Sequence, residues 1–229
     1  VAKQLSSLRV TEKLIERVIQ KLSLDADIMK WDRKILLKIA TELRIATKPM
    51  LIACNKIDVK GADENFKRLK KEFPRHLLVA CSAEAELALR EAAKHGFIKY
   101  IPGGSNLEII EEEKLNEKQK NALNFIKTDV LEKYGSSGVQ KVLDIAVFEL
   151  LKHIAIFPGG VNKLADQHGN VIPDCFLMPS NTTALDFAFK LHTDLGNHFI
   201  KAIDVRSKKP VGKEYILKHR DVIEIVTSK

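Results

Sequence analysis

Residues 48–58 read Lys-Pro-Met-Leu-Ile-Ala-Cys-Asn-Lys-Ile-Asp. The unbroken apolar run in this segment has the length of a strand and is typical of a strand buried on both faces of a parallel sheet. A polar tetrapeptide, residues 55–58, follows the run directly. Ligands of open α/β sheets bind where such strands end. The segment therefore predicts an α/β fold with a binding site at residues 55–58.

The tetrapeptide Asn55-Lys56-Ile57-Asp58 carries side chains that suit a guanine base. The Asp58 carboxylate can accept from the ring N–H and the exocyclic amino group of guanine together, a donor pair that adenine lacks. Asn55 can donate to the other edge of the base or brace the loop, and Lys56 can lay its methylene stem along the ring. The alternative is an ordinary strand-to-helix turn in which Asn and Asp bond to the backbone.

Residues 76–84, His-Leu-Leu-Val-Ala-Cys-Ser-Ala-Glu, repeat the pattern in weaker form. Asn55 to Asp58 resembles the base-recognition motif of guanine-nucleotide-binding proteins. Ser82-Ala83 resembles their last base-contacting loop, where a backbone N–H meets the guanine oxygen. Taken alone, Ser82 is better explained as a helix N-cap. The ordered pair of motifs, each at a strand end, favours a guanine-nucleotide site over two unrelated turns.

Length and composition set the outer bounds. With 229 residues and a mass of 25.8 kDa, the chain can form a sizeable core in one or two domains. No apolar run reaches membrane-spanning length and residues 1–20 lack a signal-peptide core, so we expect a cytoplasmic protein without a membrane partner. The odd number of cysteines and their apolar surroundings predict buried, reduced thiols at Cys54, Cys81 and Cys175. No Cys/His spacing indicates a metal site.

The net charge of +8 is unevenly distributed, with a basic first part and a compact cluster of cations near the end of the chain. Clustered cations near a strand pair predict contact with an RNA phosphate backbone, and a solvated loop face is an equally good explanation. The cluster consists of Arg206, Lys208, Lys209, Lys213, Lys218 and Arg220.

The order of elements divides the chain into three segments. Cap residues and apolar periodicity predict helices after Thr11 and after Asp32, with Trp31 packed between them. The two motifs then frame a strand–helix–strand crossover with parallel strands. Residues 106–116 are acidic and predict a surface connection. Residues 138–153 predict a helix whose wide apolar face completes the core around the sheet.

From residue 154 the pattern changes to short β-type runs interrupted by one helix, which we predict from Thr183 to Gly196. Two strands, a helix and two more strands indicate an α+β module of β-grasp type. We expect His192 on this helix to be partly buried between helix and sheet and not in contact with RNA.

Several segments are specifically similar to a TGS domain, the ubiquitin-like module that threonyl-tRNA synthetases, stringent-response synthetases and Obg-related GTPases share. These segments are residues 173–179, 183–188, 191–196, 204–206, 210–212 and 217–226. Of the three host families, only the GTPases also carry an Asn-Lys-x-Asp loop. Residues 134–151 further resemble the YchF-like branch of the Obg family in its archaeal form.

This resemblance implies a translation-associated P-loop NTPase that binds GTP and GDP. Residues 1–47 would be part of a helical insertion in the GTPase domain, residues 48–153 the C-terminal half of that domain, and residues 154–229 a TGS domain that contacts ribosomes or RNA. Some relatives in this branch carry an altered base-recognition loop and prefer ATP. The intact Asp58 predicts a preference for guanine.

One motif of the family is missing, because Gly-x-x-x-x-Gly-Lys-Ser/Thr occurs nowhere in the sequence. This chain therefore lacks the phosphate cradle, the hydroxyl that binds Mg²⁺ and the γ-phosphate switch. We expect it to be the C-terminal part of a larger GTPase, with Mg²⁺ binding and hydrolysis confined to the intact parent protein and no catalytic residue here. The alternative is a ribosome- or RNA-binding module that acts through the TGS domain independently of nucleotide.

Overall fold

The computed structural model describes residues 10–25, 27–166 and 168–228. The chain divides into two compact units between Val142 and Leu143. The first nine residues of the predicted helical segment 1–47 lie outside the described ranges.

Two helices open the described part of the chain, α1 (Glu12–Lys21) and α2 (Arg33–Thr47). The side chains of Thr11 and Asp32 cap them by accepting the backbone N–H three residues further on, as predicted. Trp31 packs against the small core of this helix pair, which confirms its predicted place. The buried residues of this core are Val10, Val18, Ile39 and Leu43.

The crossover consists of β1 (Leu51–Cys54), α3 (Ala62–Glu72) and β2 (Leu77–Ala80). The two strands are parallel and pair residue by residue along their whole length, which confirms the predicted crossover. The prediction that β1 is buried on both faces is wrong. Ala53 is exposed and the other β1 residues are only half-buried, because this sheet has two strands within the described residues.

The chain continues through α4 (Ala83–Lys94) into an antiparallel pair, β3 (Ile98–Tyr100) and β4 (Leu107–Ile109). The prediction of a surface connection at residues 106–116 is only partly right: most of these residues are exposed, but the segment contains β4, and Leu107 and Leu115 are buried. A strand of three residues is too short to show an alternation of apolar and polar residues. The acidic residues around it therefore determined the prediction for this segment.

Two helical segments complete the first unit and lead into the second, and each changes to π-type hydrogen bonding. They are α5 (Glu117–Phe125) with its π extension Ile126–Glu132, and α6 (Val139–Asp144) with its π extension Ile145–Leu150. The buried core of the first unit is formed by Ala85, Leu89, Ile98, Leu107, Leu115, Leu123, Ile126, Val130 and Leu131.

The prediction that residues 138–153 complete this core is wrong. Neither α6 nor its π extension contains a buried residue, and Leu143 and Leu151 are each 53% exposed. The i→i+5 bonding of the second half changes the spacing on which the predicted apolar face depended.

The second unit contains a mixed sheet of five strands in the order β6-β5-β9-β7-β8. The strands are β5 (His153–Pro158), β6 (Phe176–Pro179), β7 (Phe199–Asp204), β8 (Lys209–Val211) and β9 (Asp221–Thr227). Only β5 and β9 are parallel to each other, and the other neighbours are antiparallel. The sequence predicts β-type runs at residues 154–157, 171–178, 199–205 and 221–226, which overlap β5, β6, β7 and β9, although β6 takes up only the end of its run. The sequence did not predict β8, because this strand has only three residues and one of them is proline.

A helix, α7 (Ala184–Leu191), packs on this sheet and begins with the predicted capping box of Thr183 and Asp186. Phe187 in α7 has no exposed surface and meets Phe176 edge to face, with ring centroids 5.8 Å apart. The buried core consists of Ile154, Ile156, Met178, Ala184, Phe187, Ala202, Leu217 and Ile223.

The prediction of a single helix from Thr183 to Gly196 is wrong. The extended backbone of His192 ends α7, and a separate short helix, α8 (Thr193–Asn197), follows. The predicted burial of His192 is also wrong, because its side chain is 65% exposed. Its Nδ1 accepts the N–H of Asp194, so this histidine caps the second helix.

The cysteine prediction is only partly right. Cys81 is buried and Cys54 half-buried, but Cys175 is exposed because it lies in the loop before β6. Across the described ranges, no helix is both long and apolar enough to cross a membrane.

Candidate functional site

The two motifs meet at one edge of the β1–β2 sheet. Because the strands are parallel and in step, Cys54 and Ala80 lie side by side at their carboxyl ends. The connecting backbone extends the pairing beyond the strands: the N–H of Cys81 donates to the oxygen of Cys54 at 3.0 Å, and the N–H of Ile57 donates to the oxygen of Cys81 at 3.1 Å. Loops 55–58 and 82–83 are thus neighbours, as the sequence predicted.

Asn55 fastens the two loops together. Its side-chain oxygen accepts the N–H of Lys56 at 2.8 Å and the N–H of Ala83 at 3.0 Å. Lys56 has a left-handed backbone with φ of 65°, a conformation that is uncommon for a residue other than glycine. The bracing role foreseen for Asn55 is therefore confirmed, and Ala83 donates its N–H within the protein.

Asp58 holds an unused acceptor. Its Oδ1 is buried, and no hydrogen-bond partner for it occurs among the described residues. A buried polar atom without a partner costs about 1–3 kcal/mol. Asp58 directly follows the buried Ile57, four residues after the end of β1.

A cleft of about 420 Å³ borders the first loop, between β1 and α3. Asn55 and Lys56 line it together with Phe66 of α3, but Asp58 does not. The cleft therefore lies beside the acceptor and does not contain it.

Ser82 caps the helix that follows it, α4. It is only 1% exposed, and its Oγ accepts the N–H of Ala85, which caps α4. Its own N–H donates to the carbonyl oxygen of Ser137 at 2.8 Å. The N-cap interpretation of Ser82 is thus confirmed, and what the second loop can offer a ligand is the backbone around Ala83.

Residues that the sequence did not single out support the second loop. Glu86 in α4 is 4% exposed and accepts from Ser137 Oγ at 2.5 Å, from Tyr100 Oη at 2.7 Å and from Arg90 Nε at 2.6 Å. Only the Glu86–Arg90 spacing of four residues on a helix is a signal that the sequence contains. The other partners come from distant segments.

Electrostatics keep Glu86 ionised. Burial alone would raise the pKa of Glu86, but the hydrogen bonds from Ser137, Arg90 and Tyr100 outweigh this effect and hold the pKa below its ordinary value. Burial and the bond to Glu86 raise the pKa of the Tyr100 phenol, so Tyr100 stays a donor.

Gly138 allows the segment that carries Ser137 to lie against the second strand. Its φ is +81°, and a Cβ at this position would sit 2.1 Å from the carbonyl oxygen of Ala80 and 2.8 Å from the Cα of Cys81. Real Cβ atoms do not approach other atoms so closely. The glycine is therefore required for this contact.

The cation cluster of the second unit is only partly brought together. The N–H of Val205 donates to the oxygen of Val222, and Arg206 Nη2 donates to the carbonyl oxygen of Arg220 at 3.3 Å. The end of β7 and the start of β9 therefore lie together. Five exposed cations share this end of the sheet: Arg206, Lys208, Lys209, Lys218 and Arg220.

Lys213 does not belong to that group. It follows β8, and its carbonyl oxygen accepts the N–H of Leu185 at the start of α7. Asp204 and Asp221 lie within the group of five, where they accept the backbone N–H groups of Arg206 and Lys218. The described ranges contain no group of His, Cys, Asp or Glu residues that could hold a metal ion.

Comparisons with known proteins give two family matches. Residues 53–160 match the family described as Obg-like GTPase YGR210-like, G4 motif-containing domain, and residues 165–227 match the TGS domain. These matches confirm the resemblances found in the sequence.

Two curated relatives are both described as uncharacterized GTP-binding proteins. The chain is 45% identical over 226 residues to one from Methanocaldococcus jannaschii, a match that covers 98% of the chain and 56% of the relative. It is 34% identical over 190 residues to one from Schizosaccharomyces pombe, covering 79% of the chain and 46% of the relative. The chain thus spans about half the length of the curated relatives it matches.

Two solved structures are also similar to this chain. The crystal structure of a GTP binding protein from Pyrococcus horikoshii OT3 is similar over 99% of this chain and 60% of its own length, with a TM-score of 0.68 and 42% identity. The YchF GTPase of Schizosaccharomyces pombe matches over 98% of this chain and 60% of its own, with a TM-score of 0.50 and 15% identity. At that identity the second likeness shows the fold alone.

Proposed function

Since the chain carries the G4 motif-containing domain of the YGR210-like Obg-like GTPases followed by a TGS domain, we propose that residues 55–58 and 82–83 recognise the base of a guanine nucleotide. The observation that carries the proposal is the buried Oδ1 of Asp58, which has no hydrogen-bond partner among the described residues, at the edge where the two loops meet. Guanine offers this acceptor two donors, the ring N–H and the 2-amino group, and adenine offers neither in that arrangement.

The contacts are unequal in strength. A hydrogen bond to a charged group such as a carboxylate contributes about 1.5–3 kcal/mol, whereas a neutral bond contributes about 0.5–1.5 kcal/mol. The N–H of Ala83 already donates to Asn55, so the guanine oxygen must share or replace an existing bond. Selection of guanine therefore comes mainly from Asp58, with a smaller part from Ala83, while Lys56 lies along the ring through its methylene stem.

We propose the finer architecture on the same basis. The unit of five mixed strands with α7 fits a β-grasp TGS domain, and the β1–α3–β2 crossover with its two loops fits the C-terminal half of a P-loop GTPase domain. The segment limits 1–47, 48–153 and 154–229 are part of this proposal. Hydrolysis and the Mg²⁺ site are assigned to a parent protein, because this sequence has no phosphate-binding loop.

An exchange of base specificity tests the nucleotide proposal. Asp58→Asn replaces an acceptor with an amide that can donate, so GDP affinity should fall at least tenfold and affinity for xanthosine diphosphate should rise. Binding is measured by NMR titration at millimolar nucleotide. Asp63→Asn, on α3 and paired with Lys67, is the control that removes a carboxylate without touching the loops. Unchanged GDP affinity in Asp58→Asn would overturn the assignment.

A second candidate function rests on the five cations at one end of the second unit's sheet. We propose that this end contacts the phosphate backbone of RNA, on or off the ribosome. Two separate loops, around residues 206–209 and 218–220, contribute to one surface, and cations grouped on one surface suit contact with a phosphate backbone.

A further inference from the structure

Glu86 is a buried charge for which guanine recognition alone gives no reason. It is 4% exposed and receives donors from three separate places, Arg90 on its own helix, Tyr100 at the end of β3 and Ser137 after the π segment. A buried ionised carboxylate is stable only when it is fully hydrogen-bonded. An apolar side chain could fill the same space without the desolvation cost of a buried charge. The network therefore needs a purpose beyond packing.

A continuous series of hydrogen bonds leads from Glu86 to the first base loop. Ser137 Oγ donates to Glu86, and the carbonyl oxygen of the same serine accepts the N–H of Ser82 at 2.8 Å. The next N–H, that of Ala83, donates to Asn55 Oδ1, which also accepts from Lys56. The first three bonds join segments that are distant in the sequence, and the last joins Asn55 to the residue that follows it.

We propose that Glu86 is a positioning residue for guanine binding: through Ser137 it fixes the Ser82–Ala83 loop and, through that loop, the side-chain amide of Asn55. Glu86 itself touches no part of the nucleotide. The inference rests on the proposed function, since positioning has meaning only if the two loops hold a base.

The start of α4 does not need this network. Ser82 Oγ already caps the helix through Ala85, and Arg90, the partner of Glu86 on the same helix, is half-exposed. The bond to Ser137 is different, because it joins residues that are 51 positions apart. Ser137 belongs to a segment outside the helix, and this segment supports the loop. Loss of Glu86 should therefore loosen the loop more than the helix.

The test compares two nucleotides that differ at one atom. GDP and 6-thioguanosine diphosphate share the ring N–H and the 2-amino group that Asp58 would accept, but the sulfur of the second is a poor acceptor for Ala83. NMR titrations of the 229-residue chain with both nucleotides give the preference for oxygen over sulfur. One neutral hydrogen bond corresponds to a preference of about two- to tenfold.

Glu86→Ala should abolish this preference: GDP affinity falls by about the same factor, while affinity for the thio analogue changes less than about twofold. Glu86→Gln keeps a carbonyl acceptor for Ser137 and should restore part of the preference. Glu91→Ala is the control on the same helix, because its side chain is 53% exposed and its nearest ion-pair contact, to His95, is 4.0 Å. It should leave both affinities unchanged.

Every outcome decides between the hypotheses. If Glu86→Ala weakens both nucleotides equally, or neither, the positioning role is overturned while guanine binding by the wild-type chain stands. If Glu86→Ala does not fold, Ser137→Ala removes the single bond in question, and an unchanged oxygen preference in that variant overturns the inference. If the wild-type chain does not bind GDP in preference to ADP, the proposed function itself fails and the positioning role falls with it.

Discussion

The side-chain oxygen of Asn55 accepts the backbone N–H of Ala83 at 3.0 Å, so that a residue after β1 holds a residue after β2. The two residues are 28 positions apart in the sequence. Parallel strands put both at the same edge, and this bond joins the two loops in addition to the backbone bond from Ile57 to Cys81.

Replacing Asn55 with alanine should loosen the loops and leave the fold nearly as stable. Water can reach the exposed loop and satisfy both freed N–H groups, so we expect the free energy of unfolding to fall by about 1 kcal/mol or less. Amide hydrogen exchange at Ala83 should become faster. Asn65→Ala on α3 is the control, since its side-chain oxygen accepts from Arg68 Nη2 at 3.3 Å on the exposed face of that helix. Unchanged exchange at Ala83 would contradict the bracing role.

Gly138→Ala should be strongly destabilising. The added Cβ would lie 2.1 Å from the carbonyl oxygen of Ala80, in addition to the strain of a left-handed backbone. Gly135 has a similar φ of +79° but open space around it, so Gly135→Ala measures the backbone strain alone, about 1–2 kcal/mol. Denaturant unfolding of the two variants should differ by roughly a further 1–3 kcal/mol. Equal losses would show that residues 135–138 do not lie against β2.

The buried carboxylate predicts a specific acid sensitivity. Because the folded-state pKa of Glu86 is lowered, its bonds stabilise the fold above the unfolded pKa of about 4.3, and this contribution is lost as the pH falls through the folded value. The groups that face it are Arg90, Tyr100 and Ser137, and none of them changes charge in that range.

Urea unfolding followed through Trp31, the only tryptophan and a residue of the first unit, checks this between pH 3 and pH 6. Below about pH 4 the wild-type stability should decline more steeply than that of Glu86→Gln, whereas Glu91→Gln should follow the wild type. Parallel declines in all three proteins would show that Glu86 is not held ionised.

The RNA candidate predicts a steep salt dependence. If the five cations contact phosphates, the logarithm of the affinity should fall linearly with the logarithm of the salt concentration, and Lys209→Gln with Lys218→Gln should reduce that slope by about two. Lys213→Gln is the matched control, because Lys213 lies apart from the group beside the start of α7. Binding should survive Asp58→Asn. Equal effects of all three lysines would exclude a localised surface.

Local sequence patterns predicted the parts of the fold that depend on residues close together in the sequence. The caps at Thr11 and Asp32, the parallel crossover and the meeting of the Asn55 and Ser82 loops were all predictable, because strand runs, cap residues and connection rules act over short distances. The helix break at His192 was not predictable, since its apolar spacing continues across the break.

Long-range contacts explain what the sequence could not show. Ser137 meets Glu86 across 51 residues without any local signal, and the requirement for Gly138 depends on where β2 ends in space. The basic cluster looked uniform in sequence, yet strand β8 carries Lys213 away from the other five cations. Tertiary packing decided each of these cases.

The most direct measurement is a pair of NMR titrations of the 229-residue chain, one with GDP and one with ADP, that follow the backbone amides of residues 55–58 and 82–83. Guanine recognition predicts that GDP shifts these amides in a saturable way and that ADP at the same concentrations leaves them in place. Equal shifts with both nucleotides, or none with GDP, would contradict the assignment of this sheet edge as a guanine site.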